Sequence, residues 1–242
     1  GPKSTMDKVT YSSDTTAAVP GANLSLARFA LAATGNQTHG YFGGGNPGPL
    51  STMDKVTYAN DTTAAVPGAN LTVARSGLTA TGNSTHGYFG GGFAPGNSLV
   101  MERVTYASDT TAAVPGANLT VARQLLAAAG NSTDGYFGGG NPGPLTTMDK
   151  VNYASDTTAA APGANLTAAR YQNAATGNNT AGYFSGGRAS GNAQLRMDKL
   201  TYSNDTTVYT PGANLSVPRY NAAATGNQTH GYFGGGTGPL ST

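Results

Sequence analysis

The chain has 242 residues, 38% of them hydrophobic, with 13 basic and 11 acidic side chains and a formal net charge of +2. That is long enough to bury a core, but so sparse and balanced a charge set excludes the clustered Lys/Arg face of a nucleic-acid-binding protein. With no cysteine, disulfides, thiolate metal sites and cysteine nucleophiles are excluded and the compartment is left open.

No apolar run approaches the ~18 residues a membrane helix needs, so no membrane insertion is expected. No basic-then-apolar start reads as a signal peptide. Gly1-Pro2 reads either as a cloning scar or as native, since Gly1-Pro2-Lys3-Ser4-Thr5 mirrors Gly48-Pro49-Leu50-Ser51-Thr52.

The first unit opens at Met6 and closes on the run Gly40-Tyr41-Phe42-Gly43-Gly44-Gly45. The run returns at Gly87–Gly92, Gly135–Gly140, Gly182–Gly187 and Gly231–Gly236, and further units open at Met53, Met101, Met148 and Met197. A period this long marks a stacked repeat or a propeller, here read as one domain over residues 1–242.

In chain order, the first unit predicts four strands. Met6–Tyr11 alternates and ends at Ser12-Ser13-Asp14, a turn where Asp hydrogen-bonds its own downstream backbone. Thr15 to about Arg28 is a second extended piece whose Pro20 suits an edge strand. Phe29–Thr34 is a small-residue strand ending at Gly35-Asn36, and Thr38–Gly43 is the fourth. Four antiparallel strands make one blade, and five blades around an axis make an all-β, five-bladed β-propeller. The phase of the repeat predicts a last blade closed by two strands from each terminus. Trimming residues 1–12 or 230–242 is then expected to open the ring.

The Tyr-Phe-Gly-Gly run, the downstream Val-Thr-Tyr-x-x-Asp-Thr-Thr and an arginine such as Arg28 together resemble the kelch family across all five units. The usual outer-strand tryptophan is absent, with Thr15-Thr16 near its place. The resemblance implies four-stranded blades but no single function, since the family includes protein-binding modules and a copper oxidase. The oxidase chemistry uses a cysteine–tyrosine crosslink that this chain cannot form.

The copies differ mainly just after the arginine, in the loop after the glycine run (Thr237–Thr242 in the last unit), and at Val208-Tyr209-Thr210. The first two sets are expected on one face. Phe29, Phe93, Gln124, Tyr171, Gln172, Arg188, Arg196, Tyr220 and Asn221 are candidate ligand contacts there, because aromatics and arginine on loops serve as binding anchors. The expected function is a non-catalytic, monomeric binding module for carbohydrate or a protein surface. The alternative is a structural, display or engineered scaffold propeller, for instance at a virion or cell surface. An enzyme is the third reading.

Arg28, Arg75, Arg123, Arg170 and Arg219 form a ring that reads as structural, each paired with one of the acids that start a third strand, Asp7, Asp54, Glu102, Asp149 and Asp198. The rival reading is a ring of cations drawing in an acidic ligand. His39, His86 and His230 occupy equivalent hairpins, too far apart to share a metal, so no metal and no cofactor are expected. No Lys-Ser/Thr follows the glycine runs as in a phosphate loop, no catalytic triad can be assembled, and the Asn-x-Ser/Thr sites follow from composition.

Overall fold

The computed structural model describes residues 1–238. Along the chain, β1 (Asp7–Thr10) and β2 (Thr15–Ala18) form a two-stranded sheet. Three four-stranded antiparallel sheets follow, each two hairpins joined edge to edge. They comprise β3 (Ala32–Gly35) to β6 (Thr62–Ala65) through β4 (His39–Gly43) and β5 (Met53–Thr57); β7 (Thr79–Gly82) to β10 (Thr110–Ala113) through β8 (His86–Gly90) and β9 (Met101–Thr105); and β11 (Ala127–Gly130) to β14 (Thr157–Ala160) through β12 (Asp134–Gly138) and β13 (Met148–Asn152).

In the fourth such sheet, β15 (Ala174–Gly177) and β16 (Ala181–Ser185) join β19 (Met197–Thr201) and β20 (Thr206–Tyr209). Between them the loop folds into its own small hairpin, β17 (Arg188–Ala189) with β18 (Asn192–Ala193). The last sheet is β21 (Ala223–Gly226) with β22 (Gly231–Gly234).

Among the described residues these are seven separate antiparallel sheets, none closed or curled, so the chain is not a kelch-type propeller. The expected last blade is not made. β1 pairs only with β2, β22 only with β21, and the two hairpins stay apart. The reason lies in connectivity. β4 and β5, like their counterparts, are tethered by one short loop, whereas nothing covalent holds β22 beside β1, and joining distant ends carries a larger closure entropy. There is accordingly no ring for trimming to open, and residues 239–242 of that expectation lie outside the described residues.

Proline also sits elsewhere than expected. The outer strand stops at Ala18, and Pro20-Gly21-Ala22 forms a short 3-10 helix, as do Pro67–Ala69, Pro115–Ala117, Pro162–Ala164 and Pro211–Ala213. Proline opens each one, where its missing N–H leaves no helical bond unmade. The next residue is always Asn, whose side-chain oxygen accepts the N–H of the methionine that opens the unit: Asn70 from Met53 at 2.9 Å, Asn165 from Met148 at 2.8 Å, Asn214 from Met197 at 3.0 Å. The asparagines of the five Asn-Leu-Ser/Thr sites are therefore structural pins.

Three hydrophobic clusters fill the spaces between successive complete sheets. Each takes Tyr, Met, Ala and Leu from one unit and Phe, a branched aliphatic and Tyr from the next. In the first, Tyr41, Met53, Ala69 and Leu71 meet Phe89, Val104 and Tyr106. The paired tyrosines stack with ring centroids 4.8–5.1 Å apart, as Tyr41–Tyr106, Tyr88–Tyr153 and Tyr136–Tyr202.

Candidate functional site

The arginines are built into the ends of the sheets. In all four complete sheets the arginine before the first strand is buried and pairs with the carboxylate that follows the unit's methionine: Arg28–Asp54 at 2.8 Å, Arg75–Glu102, Arg123–Asp149 at 3.1 Å and Arg170–Asp198 at 2.9 Å. Each guanidinium also donates to the carbonyl of the phenylalanine in the glycine run, for example Arg28 to Phe42 and Arg123 to Phe137, both at 2.9 Å. Burial lowers the basicity of these arginines, and the carboxylate opposes that effect. They are not a cationic ring facing a ligand.

The fifth pair fails. Among the described residues Arg219 meets no carboxylate; it bonds the carbonyls of Val217 and Gly235 at 3.4 and 3.3 Å, while Asp7 is exposed.

The glycine runs wrap these arginines. Gly44 has φ +72°, and a Cβ there would lie 2.6 Å from the carbonyl oxygen of Arg75; Gly91 and Gly139 stand in the same relation to Arg123 and Arg170. Only glycine accepts both the left-handed backbone and the contact. The next glycine closes the joint, as Gly45 N–H donates to Arg75 O and Gly92 N–H to Arg123 O, both at 2.9 Å.

A second junction lies towards the outer strands. Asp61, Asp109, Asp156 and Asp205 occupy left-handed turns with φ between 52° and 54°. Their carboxylates face the preceding unit rather than their own downstream backbone, which corrects the turn reading of the sequence. Asp109 accepts from Lys55 at 2.8 Å and from the Tyr41 hydroxyl; Asp156 binds Arg103 and, at 2.5 Å, Tyr88; Asp205 binds Lys150 at 3.1 Å and Tyr136 at 2.5 Å. Burial alone would raise the Asp109 pKa, but the hydrogen bonds from Lys55 and Tyr41 hold it below the usual range. Burial pushes the Tyr41, Tyr88 and Tyr136 phenols up, and their aspartate partners push them further. Tyr106 is raised to about 12, chiefly by burial.

The variable residues after the arginine prove to be geometrically constrained. Ala30, Gly77, Leu125, Gln172 and Asn221 all have φ between 53° and 62°. Their backbones form a chain across the repeats: Gly77 N–H donates to Ala30 O, Leu125 to Gly77, Gln172 to Leu125 and Asn221 to Gln172, at 2.7–3.0 Å. Side chains vary here because the main chain makes the bond. Sequence reasoning found the positions but read their variation as ligand choice.

The same segments line a cavity of about 600 Å³ that includes Phe29, Gln124, Gln172, Asn173 and Asn221. Gln172 Oε1 and both amide atoms of the buried Asn173 have no hydrogen-bond partner. The other candidates lie elsewhere. Phe93 is on the loop after β8, Tyr171 and Arg188 exchange backbone bonds, and the Arg188 guanidinium lies 4.7 Å from the Tyr220 ring. Arg196 stacks on Tyr209 at 3.7 Å and donates to the Thr167 hydroxyl. The expected ligand face therefore dissolves. It presupposed a closed ring, and its arginines are engaged by neighbouring side chains. The variable Tyr209 serves as the platform for one of them.

His39, His86 and His230 sit in equivalent turns, where Asn36, Asn83 and Asn227 accept their backbone N–H at 2.9 Å. Each imidazole Nδ1 lies 2.8–2.9 Å from the hydroxyl of the preceding threonine.

No family model matches the chain, kelch included, and no curated protein matches it.

Proposed function

We propose that this protein is a non-catalytic structural module, an all-β array whose repeated side chains serve to fix one sheet against the next. The observation that carries this reading is the use made of the buried charges. Each arginine that is buried is paired within its sheet and bound to main-chain carbonyls, and each turn aspartate from Asp61 to Asp205 ties its unit to the one before. A catalytic or ligand-binding arrangement leaves convergent polar groups free within a concave site, and the buried arginines and turn aspartates are not such groups. The cavity holding Asn173 is the place where that alternative is best tested.

Native mass spectrometry of the purified chain, together with elemental analysis, is the direct experiment. The structural reading expects the bare polypeptide mass or whole multiples of it, and no saturable binding of neutral polyols or amides. A stoichiometric small molecule or metal, lost when Asn173 and Gln172 are replaced by Leu, would overturn it.

A further inference from the structure

The two ends of the array are complementary halves of the junction that the interior makes three times. At the carboxyl end, a cavity of about 340 Å³ opens beside the last complete sheet, lined by Thr176, Tyr183, Met197, Ala213, Leu215 and Phe233. Tyr183, Met197, Ala213, Leu215 and Phe233 correspond to Tyr41, Met53, Ala69, Leu71 and Phe89 of the first cluster. What that cluster has in addition is Val104 and Tyr106. Their counterparts are Val9 and Tyr11, which lie at the amino end and are 52% and 86% exposed, against 0% and 7% in the interior.

The strand edges match as well. In all four complete sheets the strand of the glycine run pairs with the methionine strand in one register, such as His39↔Thr57, Gly40↔Val56, Tyr41↔Lys55, Phe42↔Asp54 and Gly43↔Met53. β22 carries that first edge and β1 the second, and neither edge is paired. Arg219 lacks the carboxylate its counterparts have, and Asp7 lacks the arginine. Asp14, like Asp61 in a left-handed turn, is the counterpart of the aspartates that hold Lys55 and Tyr41 in the interior, while Lys199 and Tyr183 are the counterparts of that lysine and tyrosine.

We infer that this chain associates head to tail with a second copy of itself. The β21–β22 hairpin of one copy would join the β1–β2 hairpin of the next, with Phe233 opposite Asp7 and Gly231 opposite Val9. The result is a fifth four-stranded sheet shared between two chains. Val9 and Tyr11 fill the 340 Å³ cavity, Arg219 is buried on Asp7, and Tyr232, 64% exposed in the single chain, stacks on Tyr58 of the neighbour. The same edges pair with free ends on both outer sides, so the contact is heterologous and propagates into a large ring or a filament. This rests on the structural reading above and supplies its partner. It also departs from the monomeric state expected with the binding-module reading.

The test uses the full 242-residue chain and two single variants, Asp7→Arg and Arg219→Asp, each altering a partly or fully exposed residue, in sedimentation velocity over a range of concentrations. The wild type is expected to grow with concentration, and each variant to associate at least about a hundredfold more weakly, because one charge of a buried pair is then opposed by its like. Mixed in equal amounts, the variants should regain growth as an alternating assembly. The unaltered Arg219 end of one meets the unaltered Asp7 end of the other, and the two altered ends carry the same pair of opposite charges in swapped places.

A second measurement guards against slow assembly. The chain has no cysteine, so Thr10→Cys with His230→Cys, placed opposite each other in the shared register, should give a ladder of disulfide-linked multimers on oxidation. A wild type that stays monomeric, a mixture that associates no more strongly than either variant alone, or a disulfide formed only within one chain would each overturn the proposal. A ligand-free monomer would sink this inference alone. A stoichiometric ligand would sink the structural reading whatever the assembly state.

Discussion

An interior junction and a terminal one carry the same residues and differ only in neighbours. Tyr136 is fully buried and stacked, whereas its counterpart Tyr232 is 64% exposed. Arg123 is buried on Asp149; Arg219 is not buried and meets no carboxylate among the described residues. The contrast teaches that a repeat's contribution depends on completing its sheet and its cluster, because a four-residue strand buries nothing without a sheet packed over it. Mutations placed at equivalent positions can break or sharpen this comparison.

The largest expected difference is between Arg123→Leu and Arg219→Leu. Removing one partner of a buried, hydrogen-bonded ion pair costs about 3–5 kcal/mol, so Arg123→Leu should lower the urea midpoint sharply. Arg219→Leu should shift it by no more than about 0.5 kcal/mol, as surface substitutions do. These values apply to chain stability at dilutions where association is negligible. Equal losses at both positions would mean that Arg219 is already paired in solution.

Next comes Tyr136→Ala, which should cost about 3–5 kcal/mol as a buried aromatic truncation, against little effect for the equivalent Tyr232→Ala in the dilute chain. Hydrogen exchange sharpens the same contrast. Amides of β12 and β13 should exchange far more slowly than those of β1 and β22, and equal protection would contradict the separation of the terminal hairpins.

Asn165→Ala should cost about 1–3 kcal/mol, because it leaves the Met148 N–H without its acceptor. The equivalent change at Asn23, which accepts the Met6 N–H at 2.9 Å at the exposed end, should cost less.

The smallest effect is the pH dependence. Tyr106 has a folded pKa raised from 10.0 to about 12, so its contribution is intact below pH 10 and is lost as pH rises towards 12. Asp109 is depressed below 3.8, so its contribution holds above that pH and is lost as pH falls through its folded value. Thermal unfolding followed by circular dichroism should show a plateau between these limits. A midpoint that rises between pH 10 and 12 would show that the buried tyrosines are not protonated partners.

The all-β character and the strands were legible, but the closed propeller expected from the repeat was not borne out. Period-two alternation in Met53-Asp54-Lys55-Val56-Thr57 is a strand and became one, and the hairpin at Gly35-Asn36 turns where it was expected. Four of the five arginine–carboxylate pairs follow from strict repetition, since a charge repeated in every unit has a partner repeated with it. Less was legible at the candidate site. Variation after the arginine was read as ligand selection, but Ala30, Leu125, Gln172 and Asn221 share a left-handed backbone and a main-chain bond that side-chain identity cannot reveal. Pro20 was assigned to a strand because proline is tolerated at sheet edges; it opens a 3-10 helix, an equally local preference that the pattern of residues did not separate from the first.

By itself the amino-acid order determined much of what acts over a few residues or recurs with the period: the strands, the hairpin turns and four of the arginine–carboxylate pairs. Whether the ends meet was decided only in three dimensions. The ends carry the same matching residues as every interior junction, so no sequence pattern tells a paired β1 from an unpaired one. Pairing across the whole chain length has no short loop to enforce it and carries a larger closure entropy, and in this structure β1 and β22 stay unpaired with each other.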